Sequence, residues 1–146
     1  MDAHVTGTQR SSAQLYALIV GAALVFVGIS GFFYNSDFTS DKSAHDAVFG
    51  ILDANGWHNV FHVLTGVFGL IMASSYTSAR TYALVIGVLY IVIAIWGFII
   101  GNGDSILSIL PVNTADNVLH LIIGIAGIAA GMATPAVADP TTRPAT

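Results

Sequence analysis

The sequence predicts an all-α integral membrane protein, a four-helix bundle built from two parallel two-helix repeats. The chain has 146 residues, of which 55% are hydrophobic and only 8% are charged. A soluble domain of this size needs far more charge to cover its surface. Four apolar stretches are each long enough for a membrane span, since about 20 residues cross the hydrocarbon as a helix. They cover roughly residues 15–34, 57–75, 82–101 and 117–134.

An internal repeat supports the same architecture. Residues 16–33 recur at 82–99, and residues 46–70 recur without a gap at 104–128, an offset of 58 positions. A unit that crosses the membrane twice ends on the side where it began, so its second copy has the same orientation. We therefore expect two halves related by a pseudo-twofold axis along the membrane normal. The short turn at 76–81 makes the second and third helices antiparallel neighbours.

The domain organisation follows from these segments. The first apolar run is longer than the core of a signal peptide and has an internal counterpart, so we interpret it as a retained helix. Three of the four prolines fall after the last apolar run, which predicts an irregular tail. The predicted parts are a cytoplasmic tail at 1–13, a transmembrane domain at 14–134 with repeats at about 14–75 and 80–134, and a flexible tail at 135–146.

Each predicted outer loop contains a short apolar segment, at 48–52 and at 106–110. Each segment is too brief to span a membrane and too apolar to lie in water. We expect both to lie on the outer membrane surface or to dip into it. Trp57 and Trp96 fall near helix ends, which is typical of an interfacial aromatic belt.

Basic residues predict the topology. Arg10, Arg80 and Arg143 lie in the two tails and the middle turn, whereas Lys42 alone lies in the first outer loop. The positive-inside rule therefore places both termini and the middle turn in the cytoplasm. No basic cluster favours nucleic acid as a partner. The absence of cysteine excludes disulfides and thiolate metal sites.

The repeat also puts polar residues in register, His58 with Asp116 and His62 with His120. On the second and fourth helices these residues share a face with glycines, at i, i+4, i+8 and i+11 spacing. Polar groups are costly in hydrocarbon, and small residues let helices approach closely. We expect the two faces to pack together, with the glycines inside and the imidazoles facing each other near the outer surface.

Three interpretations of this face stay open. His58, His62, Asp116 and His120 form a plausible nest for a divalent transition metal such as zinc, iron, manganese or copper. Alternatively, His62 and His120 could ligate haem from both sides, with the glycines leaving room for the porphyrin.

The third interpretation is structural. Asn59, Asn117 and Asp116 lie where helices begin, and Asn and Asp cap free backbone N–H groups there. A neutral histidine inside a bundle can hydrogen-bond to a neighbouring helix. Duplication copies a packing device as readily as a set of ligands, so the repeat does not choose between these interpretations.

The residues resemble a known family. FGILDANGWHNVFHVLTGVFGL and the later LPVNTADNVLHLIIGIAGIAAG are similar to the small bacterial four-helix membrane proteins of domain-of-unknown-function family 4383, over roughly residues 14–132. The specific part is a doubled Asn-x-x-His-x-x-x-Gly pattern, which begins at Asn59 and again at Asn117; His58 and Asp116 also fit it. The resemblance implies the fold and a bacterial inner-membrane location, and it transfers no catalytic role.

The sequence favours a non-enzymatic function. It contains no P-loop, no GxSxG motif, no zincin motif and no glutamate. We expect an accessory or structural subunit of a larger membrane complex, or a small homo-oligomer, whose partners are the lipid bilayer and other membrane subunits or copies of itself. The alternative is a metal- or haem-binding redox or metal-handling protein that uses the paired His and Asp residues between the second and fourth helices.

Overall fold

Four helices form a bundle in the computed structural model, which describes residues 9–39 and 46–136. The prediction of an all-α bundle with four helices is confirmed. Lys42 and Arg143, on which the predicted topology partly depends, and most of both predicted tails lie outside the described residues. The helices are α1 (Ser12–Tyr34), α2 (Gly56–Met72), α3 (Tyr76–Ile100) and α4 (Thr114–Met132).

Three of these helices, α1, α3 and α4, are long and apolar enough to cross a membrane. They have 23, 25 and 19 residues, whereas α2 has 17. The outward surfaces of the helices carry large apolar side chains, among them Phe33 at 86% exposed and Ile99 at 77% exposed. Such surfaces are stable against lipid and costly in water. The chain therefore has the helices of a membrane protein.

The two short apolar segments lie in antiparallel β-hairpins, which the sequence analysis did not predict. Each hairpin reverses through two successive residues with positive φ, and the second pair, Leu107 (53°) and Ser108 (57°), contains no glycine. Leucine and serine rarely adopt this conformation, so the usual sequence signal of such a turn is missing. The strands are β1 (Asp46–Val48) with β2 (Leu52–Ala54), and β3 (Asp104–Ile106) with β4 (Leu110–Val112).

Glycines bring the two helices of each half together. A Cβ atom built on Gly66 of α2 would lie 2.6 Å from the carbonyl oxygen of Gly21 on α1. A Cβ atom on Gly124 of α4 would lie 2.8 Å from the carbonyl oxygen of Gly87 on α3. The expectation that the glycine faces of α2 and α4 pack against each other is therefore wrong. Gly66 and Gly124 meet the preceding helix instead, because that helix also has a glycine at the contact and allows the closest approach.

Two tyrosines connect the halves at the bundle centre. Tyr16 of α1 donates its hydroxyl to the carbonyl oxygen of Ile123 on α4, and Tyr82 of α3 donates to that of Thr65 on α2, each at 3.1 Å. The two rings have centroids 6.3 Å apart. These bonds satisfy polar groups that lipid could not satisfy, so they fix the halves side by side.

The hairpins also connect the halves, through two reciprocal hydrogen bonds. The side-chain amide of Asn55 donates to the carbonyl oxygen of Ile109 at 2.8 Å, and that of Asn113 donates to the carbonyl oxygen of Ile51 at 2.8 Å. Each asparagine thus holds the hairpin of the other half. The order helix, hairpin, helix occurs twice along the chain, while the rotational relation between the halves stays a prediction.

Candidate functional site

Asparagine caps position the residues predicted for the site. The side chain of Asn55 accepts the backbone N–H of His58 at 2.9 Å, and the side chain of Asn113 accepts that of Asp116 at 3.0 Å. His58 and Asp116 are therefore each the third residue of their helix, one on α2 and one on α4. The caps hold both side chains just below the hairpins, where the bundle begins.

The predicted caps were partly wrong. Asn59 and Asn117 are not N-caps, because α2 and α4 begin three residues earlier than those positions. Both side chains are buried against the preceding helix instead, and Asn59 donates to the carbonyl oxygen of Asn35 at 2.8 Å. The assignment of Asp116 to the helix start is correct, since its carboxylate accepts the backbone N–H of Asn113 in a capping box.

Three histidines meet between α2 and α4. Their nearest ring nitrogens all lie within 4.8 Å of one another. The ring of His62 has its centroid 4.5 Å from that of His58 and 6.1 Å from that of His120. All three side chains are buried, between 4% and 7% exposed. The prediction that His62 and His120 point into the bundle agrees with this burial.

Two nitrogen atoms of this cluster lack a hydrogen-bond partner. The Nδ1 atoms of His58 and His120 are buried and make no well-formed hydrogen bond to a described residue, although the imidazole of His58 lies close to the backbone of Asp53 and Pro111. A buried polar atom without a partner costs about 1–3 kcal/mol. We call the group of His58, His62 and His120 the histidine cluster; it is buried, and two of its ring nitrogens make no well-formed hydrogen bond to a described residue.

Asp116 has a different environment from the histidine cluster. Its carboxylate oxygen Oδ2 accepts the backbone N–H groups of Asp53 at 2.9 Å and of Asn113 at 3.2 Å. The first bond ties the hairpin of the first half to the helix α4 of the second. The structure thus brings together three of the four predicted residues and engages the carboxylate of the fourth in backbone hydrogen bonds.

A cavity of about 240 Å³ lies beside the histidine cluster. Helices α2 and α3 form its walls, and the β3–β4 hairpin covers it. The ring of Tyr90 stands edge-on to His120, with centroids 5.1 Å apart. The lining is apolar except at the end formed by the histidines. It comprises His58, Phe61, His62, Thr65, Leu89, Tyr90, Val92, Ile93, Trp96, Ile106, Leu107, Leu110, Val112 and His120.

The sequence analysis did not find this cavity. Trp96 was assigned to the interfacial belt, but it also lines the cavity. The sequence shows one difference between the repeats near the cavity: Tyr90 and Val92 of α3 align with Leu24 and Phe26 of α1. At the corresponding position of the first half, Phe26 stacks on Phe49 of the first hairpin, with centroids 6.2 Å apart. The stacked pair of the first half thus has no counterpart in the second half, where Val92 and Leu107 take the corresponding positions.

Comparison with known proteins identifies the family. No curated protein and no solved structure matches the chain. One family model, described as a domain of unknown function, matches residues 14–133. The match covers all four helices and both hairpins, and it confirms the resemblance found in the doubled asparagine and histidine pattern. The chain belongs to the DUF4383 family.

Proposed function

We propose that this protein binds a transition-metal ion in the membrane through His58, His62 and His120. One observation carries the proposal: three buried imidazoles converge with their nearest nitrogens within 4.8 Å of one another. The buried Nδ1 atom of His120, which has no hydrogen-bond partner among the described residues, supports it, because a buried polar atom without a partner is costly. Imidazole suits zinc, copper, iron and nickel.

The geometry suits a tetrahedral ion with one open position. Zinc binds imidazole at about 2.0–2.1 Å, so the nitrogens of a tetrahedral site are about 3.4 Å apart. Ring nitrogens within 4.8 Å reach that spacing by small side-chain rotations. Three histidines leave a fourth coordination position, and catalytic or exchangeable sites share this feature.

The same geometry argues against haem between His62 and His120. A porphyrin ligated from both sides needs a wide slot between the two rings. The ring of His58 lies 4.5 Å from that of His62 and 5.9 Å from that of His120. The ring of His58 therefore occupies space beside His62 and His120 that the porphyrin would need.

A structural membrane component is the second candidate function. The hydrogen bonds of Asp116 and the reciprocal bonds of Asn55 and Asn113 favour it, since these polar groups hold the bundle together. The apolar outer surface could carry other membrane subunits or further copies of the chain. In this case the histidine cluster is a packing device, and the protein is an accessory subunit or a small homo-oligomer.

The proposed location is the bacterial inner membrane, with both termini in the cytoplasm. Three helices long and apolar enough to cross a membrane support a membrane location, and Arg10 and Arg80 at one end of the bundle support the orientation. This topology requires α2 to cross as well. Its 17 residues extend about 26 Å, which is at the short end of the range for a span.

Elemental analysis of protein purified in mild detergent tests the metal proposal. We expect about one zinc or copper ion for each chain, and its loss in His62→Ala and His120→Ala. Asp116→Asn is the matched control, because Asp116 is equally buried but its carboxylate binds backbone N–H groups. Its metal content should be unchanged.

Two outcomes would overturn the metal proposal. An unaltered protein that binds no added Zn²⁺, Cu²⁺ or Co²⁺ would leave the structural candidate. A Soret band in the purified protein would identify haem instead. Since the chain has no cysteine, the visible bands of a Co²⁺ complex would report nitrogen and oxygen ligands without thiolate absorption.

A further inference from the structure

The exposed residues that line the cavity beside the histidine cluster lie on the apolar outer surface of the bundle. Near the opposite end of the bundle α2 and α3 touch, where a Cβ atom on Gly69 would lie 2.6 Å from the Tyr82 hydroxyl. Closer to the hairpins, the cavity lies between the two helices. The lining residues Phe61, Val92 and Trp96 are 51%, 51% and 40% exposed, and they mark its mouth on the apolar outer surface.

The strands of the second hairpin cover part of the cavity, while Leu107 at its turn is 69% exposed and belongs to the apolar rim of the mouth. Ile106 and Val112 line the cavity and are only 3% and 1% exposed, so the strands lie directly on it. A molecule that reaches the histidine cluster through this cavity therefore comes sideways from the hydrocarbon. Such a molecule must itself be soluble in the membrane.

The charge of the proposed metal site indicates the head group of that molecule. A divalent ion on three neutral imidazoles keeps a charge of about +2 in a site of low dielectric, which is costly. None of the described residues that line the cavity carries a carboxylate. An anionic oxygen ligand in the fourth coordination position would lower that charge and complete the tetrahedron.

We infer that the cavity binds a membrane-soluble carboxylic acid, such as a free fatty acid, whose carboxylate faces the histidine cluster and whose chain leaves between α2 and α3. The inference rests on the proposed metal site. The cavity volume of about 240 Å³ is below the roughly 300–1,000 Å³ of pockets that enclose a whole ligand. Only the head and the first part of the chain fit inside, and the rest lies in lipid along the exposed mouth.

The two tryptophans of the chain provide a test with a built-in control. Trp96 lines the cavity and Trp57 does not. In a Trp57→Phe variant loaded with Zn²⁺ and placed in phosphatidylcholine vesicles, a brominated fatty acid should quench Trp96 fluorescence with a saturable curve. In a Trp96→Phe variant, the same acid should quench Trp57 only in proportion to its concentration in the bilayer.

Blocking variants and altered probes make the test specific. Val92→Phe, which places a larger side chain in the lining at the position that Phe26 takes in the first half, should abolish saturation while the metal content stays unchanged. Leu89→Phe is a second blocking variant if the first fails to fold. The methyl ester of the acid should not give saturable quenching, and chelating the metal should weaken binding of the acid at least tenfold.

Each of the other possible outcomes contradicts a specific part of the proposal. Proportional quenching of Trp96 in protein that contains stoichiometric metal would overturn the ligand site and leave the proposed function standing. Equal saturation by acid and ester, or no effect of chelation, would overturn the contact between carboxylate and metal. If elemental analysis finds no metal in the protein, the proposed function is overturned, and the inference about the carboxylic acid, which rests on it, is overturned as well.

Discussion

The reciprocal asparagine bonds predict a graded loss of stability. Asn113 caps α4 through the N–H of Asp116 at 3.0 Å and donates to the carbonyl oxygen of Ile51 at 2.8 Å. Loss of an N-cap costs about 1 kcal/mol, and loss of one hydrogen bond costs about 1 kcal/mol. Asn113→Ala should therefore lower the free energy of unfolding by about 2 kcal/mol. Asn113→Ser keeps a capping oxygen but cannot reach Ile51, so its loss should be about 1 kcal/mol.

Asn55→Ala should lower the free energy of unfolding by more than Asn113→Ala does. Asn55 makes the corresponding cap, donates to the carbonyl oxygens of Ile109 and Thr39, and is only 1% exposed. Its removal from this buried position loses one cap and two hydrogen bonds, each worth about 1 kcal/mol, so Asn55→Ala should cost about 3 kcal/mol. Thermal unfolding in detergent, followed by helical circular dichroism, measures the series. At about 4 °C for each kcal/mol, the melting temperature should fall by about 12 °C for Asn55→Ala and about 8 °C for Asn113→Ala.

Two results would refute this reasoning. If Asn113→Ser were as stable as the unaltered protein, the bond between the halves would contribute nothing. If Asn55→Ala were less destabilising than Asn113→Ala, burial would not set the cost of the lost partner. Either result would remove the argument that the hairpins lock the two halves together.

Further predictions concern the carboxylate, the helix contact, the topology and the repeat. Asp116→Ala should lower the free energy of unfolding by about 2–3 kcal/mol in thermal unfolding, because it orphans two backbone N–H groups. Gly66→Leu should disrupt the contact of α1 with α2, measured as aggregation on mild heating, whereas exposed Leu64→Ala should not. Reporters active only in the cytoplasm should work at both termini; an inactive fusion at either end contradicts the topology. In an experimental structure, residues 16–70 should superpose on 82–128 by rotation about the membrane normal; an inverted second half contradicts this.

The sequence alone determined the helical class, the number of helices and the burial of His62 and His120. Long apolar stretches leave few alternatives to helices in lipid, because every backbone group must find a partner within its own segment. A polar imidazole on the lipid-facing surface would lose its hydrogen bonds, so its place inside the bundle also followed from its chemistry. The family resemblance could also be recognised from the sequence, because each copy of the asparagine and histidine pattern consists of residues close together in the chain.

Tertiary structure alone decided which faces meet and where the cavity lies. The glycines of α2 and α4 could have met each other, but α1 and α3 offer a matching glycine at closer approach, and spacing within one helix cannot show its partner. Asp116 matched the histidines in register, yet its carboxylate accepts the backbone N–H of Asp53 in the first hairpin, and the position of that hairpin beside α4 depends on contacts between the two halves. The cavity lies where α2, α3, α4 and the second hairpin meet, and such volumes are set by contacts between residues far apart in the chain.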